Sequence, residues 1–160
     1  MTNSLSPGLP DCLPPEFWRG VEQFNQQAFY ECHDTLEALW MEAVEPEKRF
    51  YQGVLQIAVA CYHLENHNYR GAVMLLGEGT RRLIDYTPAD YGVDVIKLVE
   101  QSTMLLEALQ LAALQVTELP SSGVEEVANS ENLFSSAAES KLMLMLPQIF
   151  GLECWEDVTS

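Results

Sequence analysis

The stretch from Phe50 to His63, FYQGVLQIAVACYH, constrains the fold of this chain more than any other feature of its sequence. At about 100° per residue, its apolar side chains cover nearly the whole circumference of a helix. Such a helix belongs in the middle of a bundle rather than at its surface. Its polar residues Gln52, Gln56 and His63 form a narrow seam, and polar groups in a core require hydrogen-bond partners.

A second stretch, from Phe29 to Trp40, carries a histidine and a glutamate on one side of a helix. His33, Glu37 and Trp40 recur at i, i+4 and i+7 and therefore share a face. Together the two stretches predict a buried polar layer composed of His33, Glu37, Trp40, Gln52, Gln56, Tyr62 and His63. For Trp40 and Tyr62 two interpretations stay open, packing in the core or a platform for a ligand.

Turn-forming residues divide the chain into further helices. Capping signals and helical periodicity predict helices over residues 15–27, 33–44, 46–65, 69–86, 93–115 and 136–145. No stretch predicts a strand, so the fold class is all-α, a compact bundle of about five helices with a C-terminal helical appendage. The predicted organisation is an irregular segment over 1–13, a bundle over 14–116 and a linker and appendage over 117–160. Glycines inside the fourth helix, Gly71, Gly77 and Gly79, predict close approach to a neighbouring helix.

Charge composition limits the classes of partner. The chain has 24 acidic and 8 basic residues, a formal net charge of −16, which disfavours nucleic acids and anionic membrane surfaces. The N-terminal residues lack the features of a secretory signal, and no apolar run is long enough to span a bilayer, so we expect a cytoplasmic protein. The four cysteines show no C-x-x-C spacing and are expected to be thiols.

Several of these residues together resemble a known family. The elements are Phe24-Asn25, Phe29-x-Glu31-x-His33-x-x-x-Glu37-x-x-Trp40, Gln52-Gly53-x-x-Gln56, His63 and Asn68-x-x-Gly71-Ala72, and they cover about residues 15 to 110. They resemble the signature of the bacterial and cyanobacterial domain of unknown function 309 family. The resemblance implies a compact helical bundle, and some relatives carry the label of predicted metal-dependent hydrolases. The chain departs from the family pattern at Asp34, where glutamate is usual, and at Gln27 and His67, where glycine is common.

One hypothesis for the polar layer is a metal site. His33 and Glu37 would supply two ligands from one helix and His63 a third from the next, leaving a position for water on zinc, manganese or iron. Glu31 would then act as a general base or orient an imidazole.

The alternative hypothesis is a layer of hydrogen bonds without a metal. Glu37 would accept a hydrogen bond from His33 or His63, and Gln52 and Gln56 would satisfy the remaining groups. This interpretation needs fewer assumptions, so we expect a non-catalytic binding or interaction module, with a metal-dependent hydrolase as the alternative and a metal-free small-molecule pocket as a third. The apolar C-terminal segment would dock on its own bundle, stay disordered, bind a protein partner or support self-association.

Overall fold

The computed structural model describes residues 13–117 and 136–152, which form an all-α bundle, as the sequence predicts. The helices are α1 (Pro15–Asn25), α2 (Phe29–Glu42), α3 (Glu47–Glu65), α4 (Tyr69–Leu83), α5 (Val95–Thr117) and α6 (Ser136–Leu144). A 3-10 helix at Ile84–Tyr86 follows α4, and the described residues contain isolated bridges but no strand. No helix within the described ranges is both long and apolar enough to cross a membrane. The predicted linker, most of the N-terminal segment, Cys12 and Cys154 lie outside these ranges.

Helix α3 forms the centre of the bundle. It packs against α2 on one side and α4 on the other. The α3 side chains without exposed surface are Phe50, Val54, Ile57, Ala58, Ala60 and Cys61. Helix α1 adds Phe17, whose ring centroid lies 5.9 Å from that of Phe50. The core therefore surrounds α3, as its apolar circumference predicts.

The α3–α4 interface depends on Gly79. A Cβ atom there would lie 2.8 Å from Cγ1 of Ile57 and 2.9 Å from the backbone oxygen of Gly53, so only glycine permits this separation. The prediction of close helix approach is therefore correct for Gly79. It is wrong for Gly77, where a Cβ would lie 4.0 Å from the nearest side chain, that of Leu106, and for Gly71, where a Cβ would meet Asn68, the residue just before α4.

Three described non-glycine residues have positive φ: Tyr91, before α5, and one residue in each of the turns that precede α2 and α4. Gln27, between α1 and α2, has φ of 62°, and His67, between α3 and α4, has φ of 59°. These are the two positions at which the family resemblance predicts glycine. Glycine adopts this left-handed conformation without the steric cost that a Cβ atom imposes. The chain therefore keeps the left-handed turns while carrying side chains that strain them.

The C-terminal segment packs on the bundle. Leu142 and Ile149 are buried in the same core as the other helices. The side chain of Asn25 at the end of α1 donates to the backbone oxygen of Ile149 at 2.9 Å and accepts from its backbone nitrogen at 2.8 Å. Backbone hydrogen bonds also join Asp94 to Phe150 and Leu152 to Gly92. Residues 136–152 thus contact the end of α1 and the segment that precedes α5.

Candidate functional site

Two of the predicted histidines line one small cavity at the α2–α3 face. Its volume is about 140 Å³, and its walls are Tyr30, His33, Val59, Tyr62 and His63. The ring centroids of Tyr30 and Tyr62 lie 5.9 Å apart, and those of Tyr30 and His33 lie 6.3 Å apart. The structure therefore brings His33, Tyr62 and His63 to a common aromatic cavity.

The predicted burial of the polar layer is wrong for His33 and Glu37. Their side chains are 33% and 46% exposed. Helix α2 turns Cys32 and Leu36 into the core. His33 and Glu37 each follow one of these residues by one position, which rotates them about 100° away from the core. They lie at the margin of the bundle, where water screens charge.

His33 lies between two carboxylates. Its Nδ1 is 3.1 Å from Oδ1 of Asp34, and its Nε2 is 3.8 Å from Oε2 of Glu37. A carboxylate only accepts hydrogen bonds, so the Asp34 contact requires a proton on Nδ1. In the neutral imidazole, Nε2 is then an acceptor and faces a second acceptor on Glu37.

His63 is held by the start of α4. Asn68 precedes that helix, and its Oδ1 accepts from the backbone nitrogen of Gly71 at 3.0 Å. This bond orients the amide so that Nδ2 lies 3.1 Å from Nδ1 of His63. An amide nitrogen donates, so Nδ1 of His63 accepts and its proton resides on Nε2. A Cβ at Gly71 would lie 2.7 Å from Asn68 Nδ2, which explains the Asn-x-x-Gly pattern.

These contacts bear on the metal hypothesis. Ligand atoms of His33, Asp34 and Glu37 all lie within 4.8 Å of one another, and His63 does not join this group. Asp34 and Glu37 approach different ring nitrogens of His33, whereas one ion binds one nitrogen of an imidazole. His63 also presents a protonated Nε2 rather than a lone pair. The geometry fits the predicted set of His33, Glu37 and His63 around one ion poorly.

Gln56 has hydrogen-bond partners other than those predicted. Gln56 bridges α3 and α4, donating to Glu78 at 2.9 Å and accepting from Arg82 at 3.0 Å. This network is separate from His33 and His63, so Gln56 does not satisfy their ring nitrogens. Gln52 is partly buried and makes no hydrogen bond with a described side chain.

Two further predicted residues lie away from the cavity. Glu31 is exposed in the first turn of α2, about 200° around the helix from His33, and it contacts no described imidazole. Trp40 is partly buried, its Nε1 has no hydrogen-bond partner among the described atoms, and Lys48 Nζ lies 5.1 Å from its ring. The structure therefore places neither residue beside His33 and His63.

The cysteines near the cavity serve as core residues. Cys32 and Cys61 are fully buried. Burial raises the pKa of Cys32 to about 12 and also raises the pKa of Cys61. Both side chains therefore remain neutral thiols at physiological pH, which does not suit a nucleophile.

A second polar cluster was not predicted. Tyr69 donates to Glu139 of α6 at 2.8 Å, and His67 Nδ1 lies 3.4 Å from the same carboxylate. They border a cavity of about 420 Å³ between α6 and the α3–α4 turn. Burial and the Glu139 carboxylate raise the pKa of Tyr69. Glu139 is 70 positions from Tyr69, a separation across which helical periodicity carries no information.

Comparison with known proteins supports the resemblance. The family model described as Domain of unknown function (DUF309) matches residues 17–75. The chain is similar to Uncharacterized protein YpuF of Bacillus subtilis (strain 168), at 33% identity over 93 residues, which is 56% of this chain and 53% of YpuF. The aligned region thus spans about half the length of that relative. No solved structure matches the chain significantly. The matched residues 17–75 cover most of α1, all of α2 and α3 and the first half of α4, so this part of the chain is similar to the domain of unknown function (DUF309) family.

Proposed function

We propose that this protein is a non-catalytic interaction module that binds a basic segment of another protein through the outward side of α2. We call this surface the α2 face and define it by Tyr30, Asp34, Glu37 and Met41. These residues recur at i, i+4, i+7 and i+11, so they form one stripe along the helix. Their exposed fractions are 57%, 60%, 46% and 67%. This exposed stripe, in which two acidic side chains lie between two large apolar ones, is the observation that carries the proposal.

The charge of the α2 face supports a basic partner. Helix α2 contains no lysine or arginine, and the whole chain has a formal charge of −16. A cationic segment would gain favourable long-range electrostatics, and its apolar side chains would cover Tyr30 and Met41. Aromatic residues and methionine are enriched at the centres of protein interfaces. The cytoplasmic location and the exclusion of nucleic-acid partners remain predictions from composition.

The experiment measures binding of a synthetic amphipathic helix of lysine and leucine to the full chain by isothermal titration calorimetry. The double variant Asp34→Asn/Glu37→Gln removes two charges from the α2 face. We expect its affinity to fall about fivefold, because each exposed ion pair contributes about 0.5 kcal/mol.

A matched control removes two exposed charges elsewhere. Glu100→Gln/Glu107→Gln makes the same change in net charge on α5. Equal weakening by both double variants would contradict the proposal, because the attraction would then be one of net charge alone. Equally tight binding of a glutamate–leucine version of the peptide would also contradict it.

A metal-dependent hydrolase that uses His33, Glu37 and His63 is the alternative, and it is supported by the short separation of His33 from Glu37. Metal content of the native, untagged protein, measured by mass spectrometry, separates the two functions. About one zinc, manganese or iron ion per chain, absent from Glu37→Gln, would favour the hydrolase. A metal-free protein that retains peptide binding would favour the interaction module.

A further inference from the structure

His33, which lines the cavity beside the α2 face, forms an unusual pair of hydrogen-bond acceptors with the neighbouring Glu37, whose side chain is not one of the cavity walls. Asp34 fixes the Nδ1 proton of His33, so Nε2 of the neutral ring is an acceptor, 3.8 Å from Oε2 of Glu37. Among the described residues, no donor forms a hydrogen bond with either atom. One positively charged donor can satisfy both, because a charge-assisted N–H···O bond of about 2.8 Å to Glu37 and an N–H···N bond of about the same length to His33 suit this separation.

The walls of the cavity suit the same kind of donor. Tyr30 and Tyr62 line the cavity, and their ring centroids lie 5.9 Å apart. The face of an aromatic ring attracts a cation that lies within about 6 Å of the ring centroid. Val59 adds an apolar wall against which a methylene chain can pack. Tyr30 is 57% exposed, so a group from outside can reach these rings.

The size of the cavity limits the ligand. Its volume of about 140 Å³ lies below the range of about 300–1,000 Å³ typical of sites for whole small molecules. The end of one long side chain fits this volume better than a cofactor does. The cavity also adjoins the α2 face, since Tyr30 belongs to both.

We infer that this cavity binds the ammonium group of a lysine side chain from the basic partner segment. Glu37 and Nε2 of His33 accept its hydrogen bonds, Tyr30 and Tyr62 contact the cation through their rings, and Val59 contacts its methylene groups. The inference rests on the proposed function, because it identifies the residue that the α2 face anchors.

The test titrates the full chain with two amino-acid probes whose termini are capped and therefore uncharged. They are N-acetyl-lysine methylamide and its norleucine counterpart, which has no ammonium group. Long-range ¹H–¹⁵N NMR spectra at pH 8 report the imidazoles of His33 and His63 during titration. We expect the lysine probe to shift Nε2 of His33 and the ring signals of Tyr30 and Tyr62, and the norleucine probe to leave them unchanged. Equal shifts with both probes, or none with lysine, would overturn the inference.

Variants locate the binding within the chain. Glu37→Gln should weaken the lysine probe about twofold, the effect of one exposed ion pair, whereas Glu107→Gln on α5 should leave its affinity unchanged. Glu37 is partly exposed and Glu107 is exposed, and circular dichroism establishes that each variant is folded. Equal effects of the two substitutions would contradict the assignment.

Two further outcomes separate this inference from the proposed function. If N-acetyl-arginine methylamide binds more tightly than the lysine probe, the cavity is selective for a guanidinium group and the lysine assignment is wrong. If the lysine–leucine helix binds through Asp34 and Glu37 while the single-residue probes produce no shift, the interaction module stands and the cavity is not its anchor. Loss of both kinds of binding would remove both proposals.

Discussion

Asn68 donates a hydrogen bond from its side-chain amide to Nδ1 of His63 at 3.1 Å, while its carbonyl oxygen caps α4 by accepting from Gly71. One side chain thus begins a helix and selects the tautomer of a histidine on the preceding helix. The Asn-x-x-Gly pattern couples these two roles, since the absence of a Cβ at Gly71 leaves room for the amide.

The substitution Asn68→Asp should change the tautomer of His63 while retaining the cap. A carboxylate still accepts from the Gly71 backbone nitrogen, and it also presents an acceptor to His63. The proton of His63 is therefore expected to move from Nε2 to Nδ1. Long-range ¹H–¹⁵N NMR measures this exchange directly, and an unchanged Nε2–H tautomer in the variant would contradict the assignment. Asn68→Ala, which removes both contacts, provides the comparison for loss of the cap.

The two glycines Gly71 and Gly77 of α4 should respond differently to alanine. In Gly77→Ala the new Cβ atom would lie 4.0 Å from its nearest neighbour. The variant should therefore be more stable by about 0.5–1 kcal/mol, because alanine has the higher helix propensity. Gly71→Ala displaces the Asn68 side chain and loses the cap, which should make it about 1 kcal/mol less stable than Gly77→Ala. Urea denaturation of both variants measures the difference, and equal stabilities would show that the cap tolerates a Cβ atom.

The strained turn at Gln27 should be relieved by glycine. Its φ of 62° is sterically costly for a residue with a Cβ atom, and Gln27→Gly should therefore raise the free energy of unfolding by about 0.5–1 kcal/mol after the added entropy of the unfolded chain is subtracted. The adjacent Gln26 is a matched control, because its φ of −85° is ordinary. Gln26→Gly should lower stability by about 0.5–1 kcal/mol. A loss of stability in both variants would contradict the strain at Gln27.

Asn25 should hold the C-terminal segment on the bundle. Its side chain makes two hydrogen bonds with the backbone of Ile149, and Asn25→Ala should cost about 2 kcal/mol, because it leaves partly buried backbone groups unpaired. Hydrogen exchange within residues 136–152 should accelerate selectively. Gln101→Ala, which removes one exposed hydrogen bond to the Gln148 backbone, should have a smaller effect. Unchanged exchange in Asn25→Ala would show that other contacts secure the segment.

The sequence predicts the helices well because their periodicity and breakers are local. Pro15 and the glutamates around Pro46 mark helix starts without knowledge of any neighbour. The surroundings of each polar side chain depend instead on distant partners. Gln56 contacts Glu78 and Arg82, which lie 22 and 26 positions away on another helix. The spacing of His33 and Glu37 places both side chains on one face of a helix. It does not determine whether that face lies in the core or at the edge of the bundle, because this depends on how the helices pack.

Asp34 illustrates a different limit. In the sequence it marks a departure from the family pattern, whereas in the structure its carboxylate sets the protonated nitrogen of His33. Residues adjacent in a helix point about 100° apart, so periodicity does not predict contact between them. A short acidic side chain can nevertheless reach back to the neighbouring ring. Glu139 was missed for the opposite reason, because its partner Tyr69 belongs to a remote helix.

Cys32 and Cys61 should resist thiol reagents while the protein is folded. Burial raises the pKa of Cys32 to about 12 and also raises that of Cys61, and the thiolate is the reactive species. At pH 8 we expect alkylation of both residues only after unfolding in guanidinium chloride, with mass spectrometry locating each modified thiol. Rapid alkylation of either residue in native buffer would show that the core opens more readily than its burial implies.

The same shifts make stability depend on alkaline pH. A folded-state pKa above the ordinary value of 9.0 for Cys32 favours the thiol in the folded chain and the thiolate in the unfolded chain. The contribution is therefore complete below pH 9 and is lost as pH rises towards 12, at up to about 1.4 kcal/mol per pH unit for each thiol. Burial raises the pKa values of Tyr51, Tyr69 and Tyr86 in the same direction.

Comparison with Cys32→Ala, which retains these tyrosines, isolates the contribution of the Cys32 thiol. The variant should lose stability less steeply than the parent protein between pH 9 and pH 11. Identical slopes would mean that Cys61 and the tyrosines, without Cys32, account for the alkaline transition.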